Sequence, residues 1–153
     1  MNKSNFLLLI FTAFMMLCST DTFACSCALP LPTMPLKQQV EVARKDAKAI
    51  FVGQVLEIDD KQYKFGTVIK FQVEKSWKQI RSKEIYIVTG RGGGDCGFPF
   101  AIGMKYLVYA YGPNNGKFGT GICSRTKRIS ENEAEKIESK LLGKEIKLHK
   151  NAK

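Results

Sequence analysis

The sequence predicts a mainly β domain with two flanking helices. Five β-rich segments follow one another between residues 49 and 124, Gly53 interrupts the first of them, and a helical pattern lies on either side. Together with a long second strand, these features are compatible with a small closed barrel. The five-stranded oligonucleotide-binding (OB) fold is one such barrel, although the pattern alone also allows a β-sandwich.

The elements follow in order along the chain. A helix is predicted over residues 36–48, where apolar residues recur at helical spacing. A capping box formed by Ser130 and Glu133 begins a second helix, which Gly143 ends. Between the helices, β-rich composition and alternation of apolar and polar residues predict strands over residues 49–58, 63–77, 84–89, 105–111 and 117–124.

Residues 1–24 have the pattern of a secretory signal peptide. A cationic start precedes an apolar core over 6–17, and Thr22 and Ala24 occupy the −3 and −1 positions of a cut before Cys25. The core is shorter than the roughly 20 residues that a membrane-spanning helix needs. We therefore expect export to the periplasm or the cell exterior. The alternative is a lipoprotein acylated at Cys25, but the preceding Thr-Phe-Ala lacks the residues that lipoprotein processing prefers.

The expected mature chain is one domain over residues 25–143, followed by a basic polar tail over 144–153 that we expect to be frayed. The net charge is +10, from basic residues spread along the chain. Such a surface favours polyanions in general, and a solvated basic face is the simpler account. No membrane span is expected.

Four cysteines remain after the leader, and an even number in a small exported domain predicts two disulfides. A Cys25–Cys27 bond would close a strained ring, so two long-range pairings with Cys96 and Cys123 stay open. Each bond would close a loop of about 70–100 residues and contribute roughly 4 kcal/mol. A zinc site is disfavoured because there is no second closely spaced cysteine pair.

An enzyme is not expected. The single histidine, His149, lies in the tail, and no Ser-His or Cys-His pair is available for nucleophilic catalysis. The acidic residues of the second helix, Glu138 among them, alternate with lysines and are expected to be solvated. We expect no cofactor of the protein's own.

Several motifs resemble the inhibitory domain of the tissue inhibitors of metalloproteinases. They are Cys25-Ser26-Cys27 at the mature N-terminus with a proline-rich step after it, and the segments 49–53, 95–98 and 120–123. The intervals between the cysteines agree as well, and the resemblance covers nearly the whole mature chain. It implies a netrin-like OB-type barrel with disulfides Cys25–Cys96 and Cys27–Cys123.

The resemblance also implies a function and a partner. In the family, the α-amine and carbonyl of the first residue, here Cys25, chelate the catalytic zinc of a metalloendopeptidase, so the metal belongs to the partner. Ser26 would enter the main specificity pocket, and Ala28 and Leu29 would continue along the cleft. Cys27 holds the segment in place. The residues expected to flank it are Asp95, Cys96 and Gly97.

The chain departs from the animal inhibitors in three respects. It lacks their third disulfide in this domain and their cysteine-rich C-terminal subdomain, and Leu29 and Leu31 stand where they carry Pro and His. The wider netrin-like superfamily includes non-inhibitory domains, so the alternative is a binding module that recognises polyanions or a protein through its basic surface. The barrel and charge would also suit single-stranded nucleic acid, but export and disulfides argue against that partner.

Overall fold

The computed structural model describes residues 25–28, 33–61, 66–92, 94–114, 116–129 and 138–149. The predicted signal peptide lies outside the described residues, as do Leu29, Leu31 and the capping box at Ser130 and Glu133. The described elements are one helix, α1 (Leu36–Asp46), a second helical segment over 138–141, and six strands: β1 (Ala49–Asp59), β2 (Thr67–Lys78), β3 (Glu84–Thr89), β4 (Lys105–Asn114), β5 (Lys117–Gly119) and β6 (Lys127–Arg128).

Five of these strands close into a barrel. The hydrogen-bonded order is β1-β2-β3-β5-β4, and β4 also pairs with β1, which completes the ring. All neighbours are antiparallel except β3 and β5, which run parallel. The predicted fold class, an OB-fold-like barrel with two flanking helices, is therefore confirmed, and the sandwich is excluded. The short β6 pairs with β4 and was not predicted.

β1 pairs irregularly with β2 on one edge and regularly with β4 on the other. Its pairing with β2 is interrupted by three register shifts, one of them between Val52 and Gly53. A Cβ atom on Gly53 would lie 2.7 Å from the backbone oxygen of Gln72, so the close approach of β2 requires glycine there. The bend predicted at Gly53 is confirmed.

Two clusters of buried residues lie on the two faces of the barrel wall. Phe51 and Val108 belong to the cluster inside the barrel. Their chain neighbours Ile50 and Leu107 belong to a second cluster, which also includes Val40 of α1. Because successive side chains of a strand point to opposite faces, burial on both sides explains the continuous apolar runs of β1 and β4.

α1 is fixed to the barrel at its C-terminal end. The side chain of Val40 is buried, and the Lys78 ammonium of β2 donates to the carbonyl of Arg44 (2.8 Å) and to that of Ala47. These are carbonyls that a helix end leaves without an internal partner. The helix therefore holds a set position against the barrel.

The described part of the C-terminal tail is ordered, so our expectation of fraying was wrong for residues 144–149. The N–H of Ile146 donates to Ser76 O and the N–H of His149 to Arg81 O, each at 2.7 Å. Leu148 packs against the inner cluster. Ile146 and Leu148 alternate with exposed polar residues, so one side of this segment packs on the barrel. The polar composition of the tail did not indicate this packing.

Candidate functional site

The parallel pairing of β3 and β5 brings the candidate site together. Both strands end at the same end of the barrel, and the N–H of Thr120 extends their pairing by donating to Val88 O (2.9 Å). Cys96 follows β3 and Cys123 follows β5, so the two cysteines lie near each other. The N–H of Ile122 donates to Cys96 O (3.0 Å) and joins the two loops directly.

Two disulfides fasten the first residues that the structure describes, 25–28, to these loops. Cys25 bonds to Cys96 with Cα atoms 5.6 Å apart, and Cys27 bonds to Cys123 with Cα atoms 5.1 Å apart. These are the pairings that the resemblance implies. Because only Ser26 separates the two bonded cysteines, the backbone between them has little freedom.

We call residues 25–28 the N-terminal tip, because they are the first residues that the structure describes, and the exposure of their side chains alternates. Cys25 and Cys27 are half-buried by their bonds, whereas Ser26 and Ala28 are exposed. The tip has no regular secondary structure, so its position depends on the two disulfides. Of the predicted contact residues in this segment, the structure thus places four, and Leu29 is the one outside the described residues.

The Asp95 loop, residues 90–92 and 94–97, flanks the tip on the Cys25 side. The Asp95 carboxylate accepts from the N–H groups of Arg91 (2.6 Å), Gly92 (2.7 Å) and Gly97 (3.1 Å). The N–H of Arg91, together with those of the two glycines, lowers the pKa of Asp95. The carboxylate therefore shapes its own loop.

Gly97 also has a structural task in this loop. It is buried, and a Cβ atom at this position would lie 2.1 Å from the backbone oxygen of Gly90. Of the three residues predicted to flank the tip, Asp95 and the half-buried Cys96 retain exposed surface beside it. Gly97 acts by allowing the two arms of the loop to approach.

A cluster of hydroxyl groups supports the turn that carries Cys123. The Thr120 hydroxyl lies 3.1 Å from the carbonyl oxygen of Tyr109, 2.9 Å from the Ser124 hydroxyl and 2.8 Å from that of Thr126. Thr126 in turn accepts from the backbone N–H of Tyr109 (3.0 Å). The second disulfide is thereby attached to β4, the strand that closes the barrel.

A buried carboxylate lies next to this turn. Glu138 is only 1% exposed, and it accepts from Arg125 Nε (2.7 Å), Lys127 Nζ (2.6 Å) and the Tyr109 hydroxyl (2.8 Å). Burial alone would raise the pKa of Glu138, but the hydrogen bonds from these groups outweigh it and lower the pKa. Burial, with Glu138 nearby, raises the pKa of Tyr109. Our expectation that Glu138 is solvated was wrong.

This charged group also reaches the chain that follows the tip. Arg125 Nη1 donates to the side-chain oxygen of Gln39 on α1 (3.1 Å), and Gln39 Nε2 donates to Met34 O (2.7 Å). The helical segment at Glu138, the turn at Cys123 and the chain entering α1 thus form one hydrogen-bonded unit.

A cleft of about 430 Å³ opens beside the tip on the Cys27 side, and we call it the α1 cleft. α1 forms one wall, and β4 with the turn at Cys123 forms the other. Several of the apolar side chains that line it are exposed. Its apolar and tip residues include Cys27, Ala28, Met34, Val42, Tyr111 and Ile122.

The fold and this site define a disulfide-stabilised OB-fold-like barrel with an anchored N-terminal tip. No protein-family model matches the chain, and comparison with curated proteins finds no match. The two disulfides are consistent with an extracellular or secreted protein. In the part of the chain that the structure describes, no helix is long and apolar enough to cross a membrane. Within those same ranges, no three acidic, histidine or cysteine side chains are grouped to hold a metal ion.

Two features of the site were missed at the level of sequence. An aspartate in a glycine-rich segment is a common turn former, and that signal could have indicated the role of Asp95. Burial of Glu138 depends on Arg125, which lies in the turn after Cys123, and on Lys127 of β6. No local pattern indicates that contact.

Proposed function

We propose that this protein is an exported inhibitor of zinc metalloendopeptidases that binds the catalytic zinc through the main chain of Cys25. One observation carries the proposal. Ser26 is exposed between two cysteines, and each of these is tied by a disulfide to the same end of a closed barrel. A short peptide held rigidly at the end of a domain has the form of an insert for a protease cleft.

The chemistry follows from the needs of a catalytic zinc. Such a site keeps three protein ligands and an open position, where a bound water becomes the nucleophile. The α-amine and carbonyl oxygen of one residue form a five-membered chelate, so Cys25 can displace that water with two atoms. An α-amine has an ordinary pKa near 7.7–8.0, and metal binding favours its deprotonated form at neutral pH. The amine of Cys25 must therefore be free, which requires cleavage before it and no acylation.

The side chains of the tip take separate tasks in this proposal. The sulfurs of Cys25 and Cys27 are consumed in disulfides and act as anchors rather than ligands. Ser26 enters the specificity pocket of the protease, and Ala28 and Leu29 continue along its cleft. Because the disulfides fix the tip before binding, little conformational entropy is lost on association.

The test compares two forms of the mature protein on a panel of zinc endopeptidases. One begins at Cys25, and the other carries one additional alanine before it. We expect the first to inhibit and the second to be weaker by at least about 100-fold, equivalent to ~2.7 kcal/mol, because the extra residue removes the chelating amine. Equal potency of the two forms would refute the chelation mechanism.

The panel also distinguishes the alternative function. If neither form inhibits any protease, and the protein is retained on heparin in a salt-sensitive manner, its basic surface is the functional feature. The intact mass of the naturally exported protein is a necessary companion measurement. It reports the cleavage site, the two disulfides and any acyl group on Cys25.

A further inference from the structure

The N-terminal tip is too small to form a stable protein interface alone. It comprises four described residues, whereas stable interfaces engage about 20–30 residues on each side. A protease that admits the tip must therefore also cover surface beside it. The two flanks of the tip differ in character, and this difference indicates where that contact forms.

The flank on the Cys25 side is polar. It consists of the Asp95 loop, whose carboxylate is occupied by backbone N–H groups, and Arg91, whose guanidinium donates to Asp60 O (3.0 Å). The loop offers little apolar surface. It suits the polar rim of an interface rather than its centre.

The flank on the Cys27 side is apolar and concave. Val42, Tyr111 and Ile122 line the α1 cleft and are 49%, 43% and 44% exposed. The cleft reaches the tip itself, since Cys27 and Ala28 form part of its lining. A protease that binds the tip can therefore also contact the cleft without any rearrangement of the barrel.

We propose that the α1 cleft is a second contact site for the same protease and receives an apolar side chain from the protease surface beside its zinc cleft. This inference rests on the proposed inhibitory function. Interface energy is concentrated in a few residues that fill central, desolvated pockets. The α1 cleft provides such a pocket directly adjoining the tip.

The charges around the cleft favour an apolar occupant over an acidic one. Arg125 lies in the cleft wall, but its guanidinium makes two hydrogen bonds to the Glu138 carboxylate. Asp46 also lines the cleft, and its negative charge disfavours an anionic occupant. The +10 net charge of the chain accelerates encounter with an acidic protease without defining this pocket.

Two exposed isoleucines provide a matched pair of variants. Ile122→Asp places a charge in the cleft, whereas Ile102→Asp places one at an isoleucine that is 63% exposed and precedes β4 at its other end. Along β4, six residues separate Lys105, near Ile102, from Tyr111 in the cleft, which is a distance of about 20 Å. Val42→Asp, on α1, tests the opposite wall of the cleft and protects the result against misfolding of one variant.

The affinity of each variant is measured on a zinc endopeptidase that the mature protein inhibits, with thermal unfolding to verify the fold. We expect Ile122→Asp and Val42→Asp to weaken binding about 10- to 100-fold, mainly through faster dissociation. Ile102→Asp is expected to stay within about twofold. Unchanged affinity in both cleft variants, with inhibition by the parent intact, would overturn this inference and leave the inhibitory function standing.

Two other outcomes would also overturn it. If sedimentation shows that the parent is a dimer and Ile122→Asp is a monomer of equal inhibitory strength, a second copy of the chain occupies the cleft. If the parent inhibits no protease, the proposed function fails and this inference fails with it. The parent's own inhibition therefore separates the two failures.

Discussion

Removing one disulfide at a time tests how the tip is held. The first variant replaces Cys25 and Cys96 by alanine, and the second replaces Cys27 and Cys123. Considered alone, the bonds close loops with sequence separations of 71 and 96 residues. In the chain-entropy model these loops are worth about 4.4 and about 4.7 kcal/mol.

The two bonds are not independent, because they share a short connection. When one bond is present, the second closes a path that runs through it and includes only about 30 residues, which is worth about 3.6 kcal/mol. This shorter path is the same for either bond. We therefore expect the two variants to lose nearly equal stability, although their loops differ in length. Loss of both bonds is expected to cost about 8 kcal/mol, comparable to the whole stability of a domain.

The assay is equilibrium unfolding of the oxidised mature protein in urea, with the slope of the transition fitted separately for each variant. The fully reduced parent serves as the control for loss of both bonds. A difference of more than about 1.5 kcal/mol between the single-bond variants would show that closure of the shared path does not set the contribution of each disulfide. In that case local contacts at Cys96 or Cys123 dominate.

Two further predictions concern the supports of the site. Glu138→Gln leaves two part-exposed cations without their buried partner and is expected to cost about 2–3 kcal/mol in urea unfolding. Glu145→Gln, which breaks an exposed pair, should cost under about 1 kcal/mol, and equal losses would contradict the role of burial. The pKa of Asp95 in the folded protein lies below its ordinary 3.8. Its carboxylate therefore stabilises the loop fully above pH 3.8, and this stabilisation is lost as the pH falls from there through the folded-state pKa. Amide NMR shifts of Arg91 and Gly92 should accordingly titrate with a midpoint below 3.8, and a midpoint above 3.8 would show that their hydrogen bonds do not favour the charged form.

Much of the barrel could be predicted from local pattern. The bounds of β3 agree with the predicted 84–89, and β1 with 49–58 to within one residue. Closure could not be predicted, because it depends on the β1–β4 and β3–β5 pairings between segments distant in sequence. The predicted fifth strand is shorter than expected. Residues 120–124 instead form a turn, in which the N–H of Ser124 donates to Gly121 O.

The cysteines of the candidate site could be predicted from the sequence, but the contacts that hold the surrounding loops in place could not. Residue spacing left two pairings open, and the resemblance selected the pairings found. The environments of Asp95 and Glu138 arise from contacts that the fold creates, as does the α1 cleft. The alternation of glutamates with lysines predicted that Glu138 is solvated. That prediction failed because its two cationic partners, Arg125 and Lys127, lie outside the helix.

Ligation of the zinc by Cys25 can be observed in a protease that carries cobalt in place of zinc. Cobalt is spectroscopically visible, and its absorption in the visible range depends on the number and type of its ligands. We expect that the protein beginning at Cys25 changes this spectrum on binding, whereas the alanine-extended form does not. Full inhibition by the Cys25 form with an unchanged cobalt spectrum would show that Cys25 does not ligate the metal.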